Sequence, residues 1–251
     1  MRTIRKYGLL TFVVLLFVIS VVRYISNHTT VSYNPSGREM AIYSVETERP
    51  MVAITFDTAG GNESIQEILS VLQEKGVRAS FFVTGRWVER YPEELRMIVR
   101  AGHDVGNHSR SHRSMSQLSL DESGRELLSV HKKVREVAGV EMDLFRPPYG
   151  DYNHDIIRMA QGYGYHTVQY SVSSYDWKDY GVERIVRAVS GSRDLQNGAI
   201  IFLTTDAVYT AEALRDVIQN LRQQGYEMVP VSELIHRENY YLDANGRQIR
   251  K

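Results

Sequence analysis

Cysteine is absent from the 251 residues, which excludes disulfides, thiolate zinc sites and a cysteine nucleophile and suits either redox compartment. Any metal must therefore be held by His, Asp or Glu. A net charge is missing as well. The 30 Lys and Arg balance the 30 Asp and Glu, so no electrostatic excess points to nucleic acid or another polyanion as the main partner. No internal repeat and no dinucleotide-binding glycine fingerprint occurs. What remains is ordinary globular composition, 43% hydrophobic and 24% charged, in a length that holds one domain plus an appendage.

The appendage is at the start. Arg2, Arg5 and Lys6 precede an uncharged run from Tyr7 to Val22 rich in Leu, Val, Phe and Ile, and Arg23 closes it. That pattern predicts one membrane-spanning helix within residues 1–26, with its basic end cytoplasmic and the rest of the chain outside. Ser20 to Asn27 offers no small-residue cleavage site, so the segment is expected to stay as an anchor; a cleaved leader would leave the remainder equally external. Residues 27–48 are polar and aperiodic and read as a stalk. The domain is expected over 49–236, with 237–251 a tail or short hairpin.

Within the domain, short β-rich apolar runs alternate with segments of helical period. Strands are expected at 52–56, 78–83, 103–107, 143–145, 166–171, 199–203 and 226–229, and helices at 63–74, 92–101, 120–138, 154–161, 182–189 and 211–223. Gly76, Gly102, Gly139, Gly162, Gly164 and Gly225 punctuate the helix ends. About seven β/α units suit either a barrel or an open doubly wound sheet, and in both the chemistry gathers at the C-terminal ends of the strands.

Polar residues do cluster there. Asp57 ends the first strand before Ala59-Gly60-Gly61, placed as a base or ligand, although Asp near Gly is also a common turn. His108 and His112 follow the third strand. Four residues apart, they would meet on one side if helical and could share an ion; otherwise they are a surface pair. Arg146 precedes two prolines that stiffen its backbone, and it could hold Asp57 ionised or simply belong to a turn. The stretch Tyr170 to Trp177, with Asp176, could line a sugar groove or pack in the core. Asp206 lies two residues past Thr204 and so shares its side in an extended chain.

Taken in order, Thr55-Phe56-Asp57, His108-Ser109-Arg110-Ser111-His112, Arg146-Pro147-Pro148-Tyr149 and Asp176-Trp177 resemble the motifs of the polysaccharide deacetylase family, the NodB homology or carbohydrate esterase 4 group, over most of residues 50–236. Two positions depart: Thr58 replaces the second acidic residue of the first motif, and Thr204 replaces the histidine of the fifth. The resemblance implies an α/β fold, a distorted (β/α) barrel of about seven units. It also implies a divalent metal ion, zinc foremost, held by His108 and His112. On the same basis Asp57 is the general base, Arg146 orients it, and the Tyr149 backbone N–H stabilises the oxyanion. Tyr149 and Trp177 contact substrate, with Asp176 tuning charge beside the groove. With Thr58 and Thr204 unable to serve as ligand and acid, Asp206 is the expected substitute.

The function so implied is extracytoplasmic, metal-dependent removal of N-acetyl or O-acetyl groups from cell-surface glycan, peptidoglycan first. A second reading is a degenerate homologue that binds glycan or a partner without turnover. A third, a membrane-anchored structural protein, leaves the paired histidines without a purpose.

Overall fold

The computed structural model describes residues 39–251. After a short β1 (Ser44–Val45), the order is β2 (Met51–Thr58), α1 (Ile65–Lys75), β3 (Ser80–Val83), α2 (Gly85–Arg90), α3 (Pro92–Arg100) and β4 (Asp104–Asn107). There follow α4 (Leu120–Ala138), β5 (Leu144–Phe145), α5 (His154–Gly162), β6 (His166–Thr167), β7 (Val172–Ser173), α6 (Val182–Ser190) and β8 (Ile200–Thr204). The chain finishes with α7 (Thr210–Gln223), β9 (Glu227–Met228), α8 (Val231–Leu234), β10 (Tyr240–Leu242) and β11 (Arg247–Arg250). Local chemistry starts and stops the helices. A capping box between Ser119 and Glu122 opens α4, and left-handed glycines at 76 and 139 end α1 and α4.

The main sheet runs β6-β5-β4-β3-β2-β8-β7, all parallel, and β9 pairs with the first residues of β2. This is a half-barrel, the distorted (β/α) arrangement expected. Strands β6 and β7 lie at opposite ends of the path, although only residues 168–171 separate them. Of the expected strand 166–171 only 166–167 is strand, because the chain then crosses the open side and β7 begins at Val172.

Alternation along the strands sorts the core into two layers. Val52, Ile54 and Phe56 of β2, with Phe81 and Val83 of β3, pack outward against the helices. Met51, Ala53, Phe82 and Ile200 face the barrel interior. Asp57 continues the interior line of Met51 and Ala53 up to the rim.

Two boundaries differ from expectation. Residues 41–45, read as stalk, are part of the domain: Ala41, Ile42 and Val45 are buried, Ile42 bridges Val168, and Ser44 bridges Ala199. Residues 237–251, expected as a tail or short hairpin, form a hairpin that joins the domain, its β11 pairing in parallel with β1 and antiparallel with β10. Tyr240 and Leu242 join the inner core beside Ile42 and Val45, and buried Gln248 exchanges two hydrogen bonds with the His236 backbone. The apolar residues of both segments have nowhere else to be covered. The expected spanning helix lies outside the described residues, among which no helix is long and apolar enough to cross a membrane.

His103, at the foot of β4, gives the fold a pH dependence. Its Nδ1 accepts the Ala79 N–H at 3.2 Å, which requires that nitrogen to be unprotonated. Burial pushes the imidazole down from 6.5 to about 4, against a smaller upward pull from Asp104. The unfolded chain thus binds this proton at a higher pH than the folded one, and stability present above pH 6.5 is lost as pH falls toward 4. Urea unfolding at pH 7 and pH 4 should show that loss to be smaller by roughly 2–3 kcal/mol in His103→Asn. Equal losses in both proteins would assign the effect to other groups.

Candidate functional site

Parallel register brings the chemistry to one level. Asp57 pairs with Phe82 and Thr204, Val83 with Asn107, and Asn107 with Phe145. His108 and Arg146, each one residue beyond its strand, therefore emerge at the same C-terminal rim as Asp57. A cleft of about 430 Å³ opens there, with Asp57, His112, Arg146, Tyr149, Trp177 and Asp206 in its wall.

Asp57 and Arg146 form its fixed centre. The Arg146 side chain is 1% exposed, and Nη1 donates to Asp57 Oδ1 at 2.8 Å. Nη2 donates to the Gln169 carbonyl at 3.2 Å, and the guanidinium lies 4.1 Å from the centroid of the Phe82 ring. Phe82 can lie there because residue 106 is glycine: a Cβ on Gly106 would come within 2.5 Å of that ring. Among the described residues Arg146 Nε and Gln169 Nε2 lack a hydrogen-bond partner.

The histidines do converge, but by a turn instead of a helix. Asn107 Oδ1 accepts the Ser109 N–H and Ser109 Oγ accepts the His112 N–H, both at 3.0 Å. Ser109 and His112 adopt φ of 62° and 58°, and Glu126 of α4 holds Ser111 through its N–H and hydroxyl. Tyr149 also has a positive φ, 60°. Left-handed backbone at three non-glycine residues is strained, and such strain gathers at functional sites.

Burial pushes both imidazoles down, His112 to about 4 with His108 adding to the effect, so both are neutral near pH 7. His108 Nδ1 lies 2.6 Å from the Arg146 carbonyl oxygen, which can only accept, so the ring proton is there and Nε2 keeps its lone pair. That lone pair faces His112 Nε2 at 3.1 Å and Asp57 Oδ2 at 3.2 Å. Two ligand atoms bonded at about 2 Å to one ion lie roughly 3 Å apart. The pair of nitrogens suits a cation of zinc type, with Nδ1 locked by the carbonyl and Asp57 Oδ2 alongside. The contacts form a chain through His108, and among the described residues no three His, Cys, Asp or Glu side chains make up a complete ligand group. Thr58 adds nothing: it is fully buried and absent from the cleft wall.

The other expected residues divide. Tyr149 stacks edge-on against His112 at 4.6 Å. Its N–H stands outside the turn's own bonds, which run from Gly150 N to Pro147 O and Asp151 N to Pro148 O. Trp177 stands in the cleft wall 5.4 Å from Phe202. Asp206 sits at the cleft with Oδ2 accepting the Gly60 N–H at 2.7 Å, a contact that a Cβ on Gly60 would block at 2.6 Å. Although the residue is solvent-exposed, protein packed around its carboxylate raises its pKa, against the hydrogen bonds from Thr205 and Gly60. Asp176 is the correction. It is 0% exposed and outside the cleft wall, and its oxygens accept from Thr204 N, Thr210 Oγ1 and Trp177 N. It braces the rim and does not touch the cleft. Gln169, in the cleft wall and on Arg146, was not anticipated, because a lone Gln at a strand end carries no signal.

The half-barrel and this rim define a family. The polysaccharide deacetylase profile matches residues 44–168. Peptidoglycan-N-acetylmuramic acid deacetylase PdaA of Bacillus subtilis is 30% identical over 81% of this chain and 78% of its own length. A peptidoglycan-N-acetylglucosamine deacetylase of Bacillus cereus is 33% identical over 77% of this chain and 92% of its own. Among solved structures, a carbohydrate esterase 4 pseudoenzyme from Bacillus anthracis aligns with a TM-score of 0.75 at 31% identity, covering 79% of this chain and 70% of that one; a mutant of that pseudoenzyme with restored enzymatic activity aligns with the same score. The chain belongs to the polysaccharide deacetylase family, carbohydrate esterase family 4.

The buried ion pair makes a direct prediction. Arg146→Met leaves Asp57 without its counter-charge and should cost roughly 3 kcal/mol in urea unfolding. Adding Asp57→Asn should recover part of that loss, because the uncompensated charge is gone. Strictly additive losses in the double variant would show the two residues to be uncoupled.

Proposed function

We propose that the chain is an extracytoplasmic hydrolase that removes acetyl groups from N-acetylated sugars of cell-wall glycan, with His108 and His112 holding a divalent cation, zinc foremost. The observation that carries this reading is Asp57, with one oxygen fixed by a buried guanidinium and the other 3.2 Å from His108 Nε2, which in turn lies 3.1 Å from His112 Nε2, in an aromatic-walled cleft. Relatives named as peptidoglycan deacetylases, one for each amino sugar, support the substrate class. The basic and apolar segment within residues 1–26 is the proposed membrane anchor, which agrees with an external polymer as substrate.

When bound, the cation supplies Lewis acidity that polarises the acetyl carbonyl and acidifies a nearby water. Asp57 Oδ2 takes the proton of the attacking water while Arg146 keeps Oδ1 fixed. The Tyr149 N–H is placed to meet the developing oxyanion. Breaking the C–N bond releases acetate and needs a proton on the departing amine. Thr204 cannot supply it near neutral pH. Asp206, with its raised pKa, is the proposed donor, and the Gly60 N–H and Thr205 hydroxyl hold it in place.

One observation favours a second reading, glycan binding without turnover. The Thr204 hydroxyl is bonded to the Asp57 carbonyl at 3.2 Å, at the place of the family's fifth-motif histidine, and a pseudoenzyme is among the similar structures.

Acetate release from peptidoglycan fragments and chitooligosaccharides, with metal content of the purified chain, separates the readings. Asp57→Asn should lower the rate by about 10² to 10⁴, and His108→Gln with His112→Gln should remove the bound metal. Glycan binding without acetate release in the unaltered protein would establish the second reading. Asp206→Asn should cost about 10² in rate on the N-acetyl substrate; an unchanged rate would remove the proposed donor.

A further inference from the structure

A second hollow, of about 240 Å³, lies beside the cleft, between Tyr175 and Tyr180 and over Ile185 and Ala188. Its charged wall is of one sign. Lys178 and Arg184 line it, no Asp or Glu does, and among the described residues neither cation has an acidic partner within salt-bridge range. Lys178 Nζ instead sits 5.2 Å from the Tyr175 ring and 5.9 Å from the Tyr180 ring. Both rings are open to solvent, at 51% and 68% exposure. Two flat apolar faces with unneutralised cations between them match a sugar ring that carries an acid.

The hollow is built, and the Tyr175–Trp177 contact joins it to the cleft. Tyr175 and Asp179, both non-glycine, hold φ of 55° and 51° on either side of the turn Asp176–Lys178. The buried carboxylate of Asp176 ties that strained turn to β8 through Thr204 N and to α7 through Thr210, and Asp179 Oδ1 accepts the Val208 N–H. Left-handed backbone at two bulky positions persists only where surrounding contacts impose it. Trp177, on the same turn, stands in the cleft wall with its ring 5.4 Å from that of Tyr175. One glycan strand can therefore lie against Trp177 and Tyr175 together.

We propose that this hollow is a sugar subsite for a carboxylate-bearing residue of the same strand, with Lys178 and Arg184 meeting the carboxylate and Tyr175 and Tyr180 flanking the ring. The proposal deepens the glycan reading above and depends on it. A charge-assisted contact of this kind gives an acidic strand about tenfold tighter binding than a neutral one, and added salt weakens the advantage.

The test is calorimetric titration of the full chain with three probes: a peptide-free peptidoglycan tetrasaccharide bearing free lactyl carboxylates, the same oligomer with those carboxylates as methylamides, and chitotetraose. The unaltered protein should bind the acid form about tenfold tighter than the other two. Lys178→Gln with Arg184→Gln should bring the three to parity and leave acetate release from chitotetraose unchanged. The same acid preference in the double variant would overturn the subsite and leave the glycan reading standing. If none of the three binds the unaltered protein and none releases acetate, the glycan reading falls and the subsite with it.

Discussion

A guanidinium that is 1% exposed must have its charge answered nearby, and the arrangement of this molecule follows from how Arg146 is answered. Asp57 takes one nitrogen and the Gln169 carbonyl another, while the Phe82 face supports the plane from below. Each partner comes from a different strand or crossing segment, so the pair forms only when β2, β3 and the ends of β5 and β6 are in register. The ring of Phe82 in turn demands the absent side chain at Gly106. The same carbonyl that locks the His108 tautomer belongs to Arg146. Sheet register, inner core and the lone pairs at the rim are thus set by one buried charge, whose loss exposes an unpaired ion in a site of low polarity.

The rim departs from the family pattern in a consistent way. Residues that would donate protons or negative charge at 58 and 204 are threonines, and both are occupied locally: Thr58 is buried, and the Thr204 hydroxyl bonds the Asp57 carbonyl. Asp57, Arg146, Tyr149 and both motif histidines are present. What is thinned is the number of anionic and acidic groups around the histidines, so a bound cation would be answered by less protein charge than four full ligands give. Asp206 lies close enough to act on the charge of His108.

The alternation of strands and helices was legible because both periods are written locally, and glycine and the Ser119 capping box mark the ends. The rim was legible in part because a parallel β/α fold puts its strand ends together, which singles out Asp57, His108 and Arg146 as candidates; their roles come from the family motifs. Long-range partnerships were not. Nothing near Ser44 announces that it pairs with Arg247, nor does anything near Gln248 show that its amide will close on His236. The histidines met through two left-handed residues, a conformation that a four-residue spacing does not reveal. The Asp-Trp motif suggests a charge beside the groove at Asp176; its carboxylate is spent on three donors behind the wall.

The parallel pairing of β1 with β11 has a mechanical side. Tension applied through residue 39 runs along β1, where the bonds to β11 and the Val45 N–H to Gly198 bond are loaded in shear. Before it reaches β1 that load meets the Ile42 bonds to Thr167 and Gln169, at and just beyond the end of β6. Because Gln169 also carries the carbonyl that holds Arg146, a tug on the lead-in is felt two hydrogen bonds away from Asp57.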